Sequence, residues 1–565
     1  MPRYLPSLTV LFLALFALWP AQAQERDDVP RVTRAFAIEN TQVVPVPGQR
    51  LEGVTVIVED GLITAVGADV SIPFDAQRIA GDSLVVYAGF IDGFSHAGIP
   101  RPEPDTDRQR PEDPGNPPND AAGIQPDRDA RLMLDPSEKS LADLREAGFT
   151  VTHTVPRGRM LPGRGALIFT AGDSPSALTL QGSASMPIQF AGGQGVYPST
   201  PMAMMAKLRQ MMREADRRQR METLYASNPT GLTRPPSDVE HLALFPVNSG
   251  ELPVVFRVEG PLEAHRALRL QEEMGFTLIM ADLEDAMDAT DALRERGVPV
   301  FLSLDLPEDK LKDDSTGTYN PDFRTASYAD TEAEAMNLKA RQKQALERRY
   351  AHAAQLDAAG VPMAFMTEGA KVGDIHENLR TMVAHGLSEE SALAALTTTP
   401  ASLLGLSSQM GTVETGKIAN LVVTTAPYFD EDAKIKYVFV DGALYEMEVR
   451  ERRAAAADGA AVNPVGTWSY EIDTPQGTYS GTLTFTGSRD DLSGTITSSA
   501  NPEPSTLQDV EIDGNDVSFS FDTGGMGVAS VAMTLFADEV EGSLSLGGLG
   551  SFPLTGTRTS GPDRR

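Results

Sequence analysis

The feature that most constrains this chain is a series of short apolar segments between residues 85 and 409, several of them separated by helical patterns. They are Val85–Ile91, Phe149–His153, Ala166–Thr170, Pro253–Arg257, Phe276–Met280, Pro299–Leu304 and Pro362–Met366, with a further one near Pro187–Phe190. Short apolar strands that alternate with helical patterns are the signature of βα units on a parallel sheet. Leu262–Met274 repeats apolar positions at helical spacing and stops at Gly275, a C-terminal cap. Asp374 and Glu377 have the spacing of a capping box opening a helix at Ile375–Ala384. Such alternation gives an α/β fold of βα units, and eight of them close a (β/α)8 TIM-like barrel over residues 85–409. Function in such a barrel belongs at the carboxyl ends of its strands.

Both flanks of this region are β-rich. Residues 24–84 contain VTVIVEDGLITAVG, where Asp60-Gly61 between alternating apolar runs predicts a hairpin. Residues 410–448 contain LVVTT and IKYVFVDGALYEM, so a small β-sandwich assembled from both flanks is expected. Within the barrel, Arg101–Asp120 is rich in proline and charge and reads as a long loop over the mouth, and Met202–Thr223 reads as an amphipathic packing helix. After an Ala-rich linker, 449–463, the texture changes to short Thr/Ser/Gly-rich alternating strands over 464–565. Leu492–Ser498 echoes Val540–Gly547, and a separate antiparallel barrel or sandwich is expected.

At the N-terminus, Arg3, the apolar run Thr9–Trp19 and Ala21-Gln22-Ala23 predict a signal peptide, residues 1–23, cleaved near Ala23. No later segment is long and apolar enough to span a membrane. The chain has no cysteine, which removes disulfides, a thiol nucleophile and thiolate metal ligands. An exported, disulfide-free protein of 565 residues fits a bacterial periplasm or secretion. A formal charge of −31 disfavours nucleic acid as a partner.

The stretch YAGFIDGFSHAGIP, residues 87–100, has the rhythm of a strand that delivers a His-x-His pair to a metal, but Phe94 stands two residues before His96. Together with VEDGLITAVG, HGLSEESALAALTTTPASLLGL and GTVETGKIANLVV, in this order and spacing, the stretch resembles the amidohydrolase superfamily over residues 35–448. The likeness is to its imidazolonepropionase-like, exported members, and the C-terminal module resembles a lipocalin-like small barrel. The resemblance implies a hydrolase acting on non-peptide C–N bonds of a small amide-type substrate, with one or two divalent metals that activate water.

Family members supply His-x-His after strand 1, a carboxylated Lys or Glu after strand 4, histidines after strands 5 and 6, and an Asp after strand 8. Here His96 matches the second histidine, no lysine falls between Lys139 and Lys207 or between Lys207 and Lys310, and Glu368 stands for the aspartate. Arg257 and Glu259 occupy the end of the strand-5 segment, where a histidine is expected, and Asp282 could face the mouth. The expected site is therefore reduced: Glu368 as base, His96 and Glu368 as ligands of a zinc, manganese or iron ion or of none, and Arg257, Glu259, His153 and His376 around the substrate. The alternative is a catalytically inactive relative that binds a small ligand or pairs with an active amidohydrolase-like chain, as a homo- or hetero-oligomer. A third reading gives the 464–558 module the role of attaching the protein to a partner or envelope surface.

Overall fold

The computed structural model describes residues 35–102, 111–283, 288–307, 331–447 and 462–560, apart from 475–476, 489–490, 500–502, 514, 524–526, 537–538 and 547–549 in the last stretch. The expected signal peptide, most of the linker and residues 103–110 of the Pro-rich loop lie outside the described residues. The chain divides into two compact units, Met1–Val449 and Arg450–Arg565.

In the first unit eight strands form one sheet in sequence order: β1 Phe90–Ser95, β2 Phe149–Thr154, β3 Gly165–Phe169, β4 Thr179–Gln189, β5 Val254–Arg257, β6 Leu278–Ala281, β7 Val300–Ser303 and β8 Met363–Met366. The expected strand Val85–Ile91 is two strands: Val85–Ala88 belongs to the flanking sheet, and only from Phe90 does the chain enter the barrel. Alternation is strict. Val254, Phe256, Leu278, Met280, Val300, Leu302, Met363 and Phe365 face the helix layer, while Val255, Ile279, Ala281, Phe301, Ala364 and Met366 fill the interior. By that parity, Arg257 and Ser303 belong to the interior at the top of their strands.

The barrel departs from eight parallel βα units at one place. β3 runs antiparallel to both β2 and β4, whereas β1–β2 and the pairs from β4 to β8 are parallel. Residues 155–164, which join β2 to β3, contain Pro156, Gly158, Pro162 and Gly163. They are too short and too broken for a helical crossover, and a parallel return needs one. The eighth segment expected near Pro187–Phe190 is the end of the long strand β4.

The flanking sheet contains eight strands and draws on both ends of the unit, in the order Ala443–Glu446, Ile435–Val440, Leu421–Thr424, Val85–Ala88, Phe36–Val44, Leu51–Glu59, Leu62–Gly67, with Gln77–Ala80 also paired to Phe36–Val44. Asp60-Gly61 makes the expected tight turn with both residues at positive φ, 49° and 84°, and Asp441-Gly442 repeats it at 49° and 75°. The two turns meet: a Cβ on Gly442 would lie 2.4 Å from the Gly61 Cα, so glycine is required by contact as well as by φ.

Helix Pro261–Met274 ends as expected at Gly275, in the left-handed conformation. Helix Ile375–Ala384 is present, but the capping box at Asp374 is not: a 3-10 turn, Val372–Asp374, runs straight into the helix and leaves Asp374 in helical geometry without a side-chain cap. In the methionine-rich helix Pro201–Ser227, Met204, Met211 and Met212 are buried.

The second unit is a nine-stranded antiparallel sheet in which Gly466–Thr474 pairs with both Gly477–Ser488 and the last strand, Gly550–Ser560. Val528–Phe536 shows the alternation behind its core: Ala529, Val531, Met533 and Leu535 are buried. Trp468 is wholly buried there; its indole N–H donates to the Pro464 carbonyl at 3.0 Å, and the Arg558 guanidinium lies 4.3 Å from its ring centre.

Candidate functional site

The carboxyl ends of the barrel strands bring together His96 and Glu368. His96 Nδ1 lies 2.7 Å from the Val155 carbonyl, which can only accept, so Nδ1 carries the proton and Nε2 presents a lone pair. That lone pair faces Glu368 Oε1 at 3.5 Å, with the side chains 11% and 21% exposed. Burial pulls the His96 pKa down; Glu368 opposes this, and the charges of Arg157 and Arg257 reinforce it. Burial therefore favours the neutral imidazole, whose Nε2 lone pair and the Glu368 carboxylate oxygen are two acceptors facing each other. Such a pair calls for a donor, a water or a cation, at a point in reach of both.

Glu368 is held by main chain: its N–H donates to the Phe94 carbonyl at 3.2 Å, and its carbonyl accepts from Ser303 Oγ at 3.4 Å. Beneath it lies a fully buried carboxylate, Asp92. Asp92 Oδ1 accepts from the N–H groups of Thr367 (2.8 Å) and Phe94 (3.3 Å), and Oδ2 accepts from Thr152 Oγ1 at 2.5 Å. Thr152 Oγ1 is in turn 2.8 Å from Ser95 Oγ. Burial raises the Asp92 pKa, and these four partners oppose the rise.

The remaining expected residues have partners of their own. His153, expected at the mouth, is wholly buried in the barrel: Nδ1 is 2.8 Å from the Gly93 carbonyl and Nε2 2.7 Å from Ser185 Oγ, so both nitrogens are used and burial lowers its pKa to about 4. His376 turns its Nε2 to the Tyr428 carbonyl, 2.6 Å away. Glu259 is exposed on the turn after β5, where its N–H donates to Glu263. Arg257 is at the mouth but engaged, its Nε 2.8 Å from Asp282 Oδ2. Asp282 holds a φ of 60°, a strained value for a non-glycine residue and one often found at functional sites.

Two further groups were not singled out from sequence. Arg157, in Pro-Arg-Gly-Arg just after β2, acts on His96 electrostatically and buries its Nε without a hydrogen-bond partner among the described residues. Asp305, after β7, has its carboxyl pushed up by burial. An arginine following a strand end and a polar residue inside an apolar run were the available signals.

The divalent centre that the resemblance implies does not fit these residues. A catalytic zinc takes three protein ligands and an open position. Of the seven histidines, His241 pairs with Asp238 and Glu214, His265 is exposed, His352 is buried in its helix, and His385 binds the Thr381 carbonyl. That leaves His96 alone with a nitrogen turned to the mouth, and among the described residues no three candidate ligands cluster. Phe94, Phe301 and His153 fill the top of the interior with ring centres 6.1 and 6.4 Å apart, and two guanidinium charges stand by.

Residues 283–445 match the amidohydrolase family model. No curated protein matches the sequence. Among solved structures, an amidohydrolase from Thermotoga maritima MSB8 is similar at a TM-score of 0.58 and 21% identity, over 73% of this chain and 100% of that one. A Xaa-Pro dipeptidase with bound methionine aligns at a TM-score of 0.43 and 14% identity, over 73% and 100% of the two chains. An adenosine deaminase from Xanthomonas campestris aligns at 0.37 and 16%, over 72% and 92%. Over residues 283–445 the chain is similar to the amidohydrolase family, and its barrel shares the fold of a solved amidohydrolase.

Proposed function

We propose that the barrel is a hydrolase of non-peptide C–N bonds in a small anionic amide, working through a remodelled site. The observation that supports this is the 3.5 Å approach of His96 Nε2 to Glu368 Oε1 at the mouth. A water about 2.8 Å from both would donate one hydrogen to each and point a lone pair outward at the substrate carbonyl. As the C–O bond forms, the proton passes to the pair and then to the leaving nitrogen. Arg157, with an uncommitted Nε, holds the anionic group of the substrate. The protein is exported, with residues 1–23 removed, and the C-terminal unit serves as a lipocalin-like attachment module.

A second reading, an inactive barrel that binds its ligand or an active relative, draws support from the single mouth-facing histidine and the engagement of Arg257 by Asp282. The test is a screen of carboxylate-bearing amides and lactams, with metal content measured on the same sample. Turnover that drops by about 10²–10⁴ in both Glu368→Gln and His96→Ala supports the hydrolase. Turnover indifferent to both substitutions sinks it, and binding without turnover selects the second reading.

A further inference from the structure

A cavity whose lining includes neither His96 nor Glu368 lies beside Phe90, at the start of β1. It is about 290 Å³ and is bounded by Gly48–Arg50, Tyr87, the start of helix Glu389–Leu396 and Pro427–Phe429. Its place follows from Tyr428, whose ring packs edge-on against Phe90, the first residue of β1, at 4.9 Å between centres. Pockets of about 300–1,000 Å³ take drug-sized ligands, so this one suits something smaller.

Its walls are of two kinds. Tyr87, Tyr428 and Phe429 form a continuous aromatic side, with ring centres 6.3 and 5.2 Å apart, and the Tyr428 N–H donating to the Tyr87 hydroxyl fixes the first pair. Facing it are one guanidinium, Arg50, and two carboxylates, Glu389 and Glu390. Both Arg50 and Glu389 act electrostatically on the Tyr87 hydroxyl, so opposite charges share one space. None of the three forms an ion pair among the described residues. Glu390 lies close against Gly48: at φ 80°, a Cβ there would fall 2.6 Å from Glu390 Oε1. Opposite charges that border one cavity without closing on each other, beside an aromatic wall, leave the pairing to a ligand that carries both.

We propose that this cavity binds a zwitterionic small molecule of the amino-acid class, its carboxylate on Arg50, its ammonium on Glu389 and Glu390, and an apolar or aromatic side chain against Tyr87, Tyr428 and Phe429. The site is separate from the mouth and takes no part in the chemistry there.

Isothermal titration calorimetry of the full chain with three probes tests it: L-phenylalanine, phenylalanine amide, which lacks the carboxylate, and 3-phenylpropionate, which lacks the ammonium. L-phenylalanine is expected to bind at one site per chain, and each probe missing a charge about tenfold or more weaker. Arg50→Gln and the pair Glu389→Gln/Glu390→Gln are each expected to weaken L-phenylalanine by at least a similar factor, while His96→Ala leaves it unchanged. The probe series uses the unmodified protein and does not depend on any variant folding. Absence of binding, equal binding of all three probes, indifference to Arg50→Gln, or loss in His96→Ala would each overturn the proposal.

Discussion

His96 and His153 are the same side chain put to opposite uses by depth alone. Each has Nδ1 on a main-chain carbonyl, but His96 Nε2 meets a carboxylate at the mouth and His153 Nε2 meets Ser185 Oγ in the interior. Because His153 is held neutral with a pKa near 4, against about 6.5 in an unfolded chain, it makes stability depend on pH. Above pH 6.5 neither state binds the proton and the contribution is complete. As pH falls from 6.5 to 4 the unfolded chain takes up a proton that the folded chain refuses, and roughly 3 kcal/mol is lost. Asp92, with its pKa raised by burial, tilts the other way: its ionised form is penalised in the fold, so its effect weakens stability as pH rises through its own range. The His153 effect is therefore read as a difference. Urea unfolding from pH 8 to pH 4 is expected to show a steeper loss in the unmodified protein than in His153→Leu/Ser185→Ala. Equal slopes would mean that His153 is hydrated or charged in the fold. At the mouth, the lowered pKa of His96 has a catalytic counterpart: the proposed hydrolysis holds its rate to a pH below 6.5 and falls only on further acidification.

At the scale of elements, the barrel is fastened between β8 and β1 largely by Asp92 and its neighbours. The Thr367 N–H to Asp92 carboxylate and the Glu368 N–H to Phe94 carbonyl cross this seam, and Thr152 ties the same carboxylate to β2. Removing the carboxylate leaves two buried N–H groups without their acceptor and the Thr152 hydroxyl with Ser95 alone. Asp92→Ala is therefore expected to cost about 3 kcal/mol or more, and Thr152→Val about 1 kcal/mol, in equilibrium denaturation. A loss below about 1 kcal/mol for Asp92→Ala would show that the seam closes without it. The strands were legible in sequence because burial on both faces leaves an unbroken apolar run, and parity then puts Arg257 at the top of the interior. The direction of β3 was not legible as an apolar pattern, since such a pattern reads the same both ways; the short, Pro- and Gly-broken link 155–164 carried that information. His96 and Glu368 could be singled out by their places after β1 and β8. The depth of His153 could not, because its partners Gly93 and Ser185 come from two other strands.

At the scale of the whole molecule, the chain is two cores of different make. The first unit holds the barrel, its helices and the flanking sheet; the second is all antiparallel strand around Trp468. Each buries its own apolar cluster, so each should unfold as its own cooperative unit. The sequence supplies a probe for this. Of two tryptophans, Trp19 falls in the expected signal peptide, which leaves Trp468 as the sole tryptophan of a chain beginning at residue 24. Its emission reports the second unit alone, because its ring is wholly buried there and covered by Arg558. Helical circular dichroism at 222 nm is dominated by the first unit, because every described α-helix lies before residue 449. Followed together through urea, the two signals are expected to give separate midpoints, with the tryptophan transition unmoved by Asp92→Ala and the helical transition shifted to lower urea. Coincident transitions that move together in that variant would show that the two cores unfold as one, and residues 464–565 would then have to be treated as part of the barrel's fold rather than as a module appended to it.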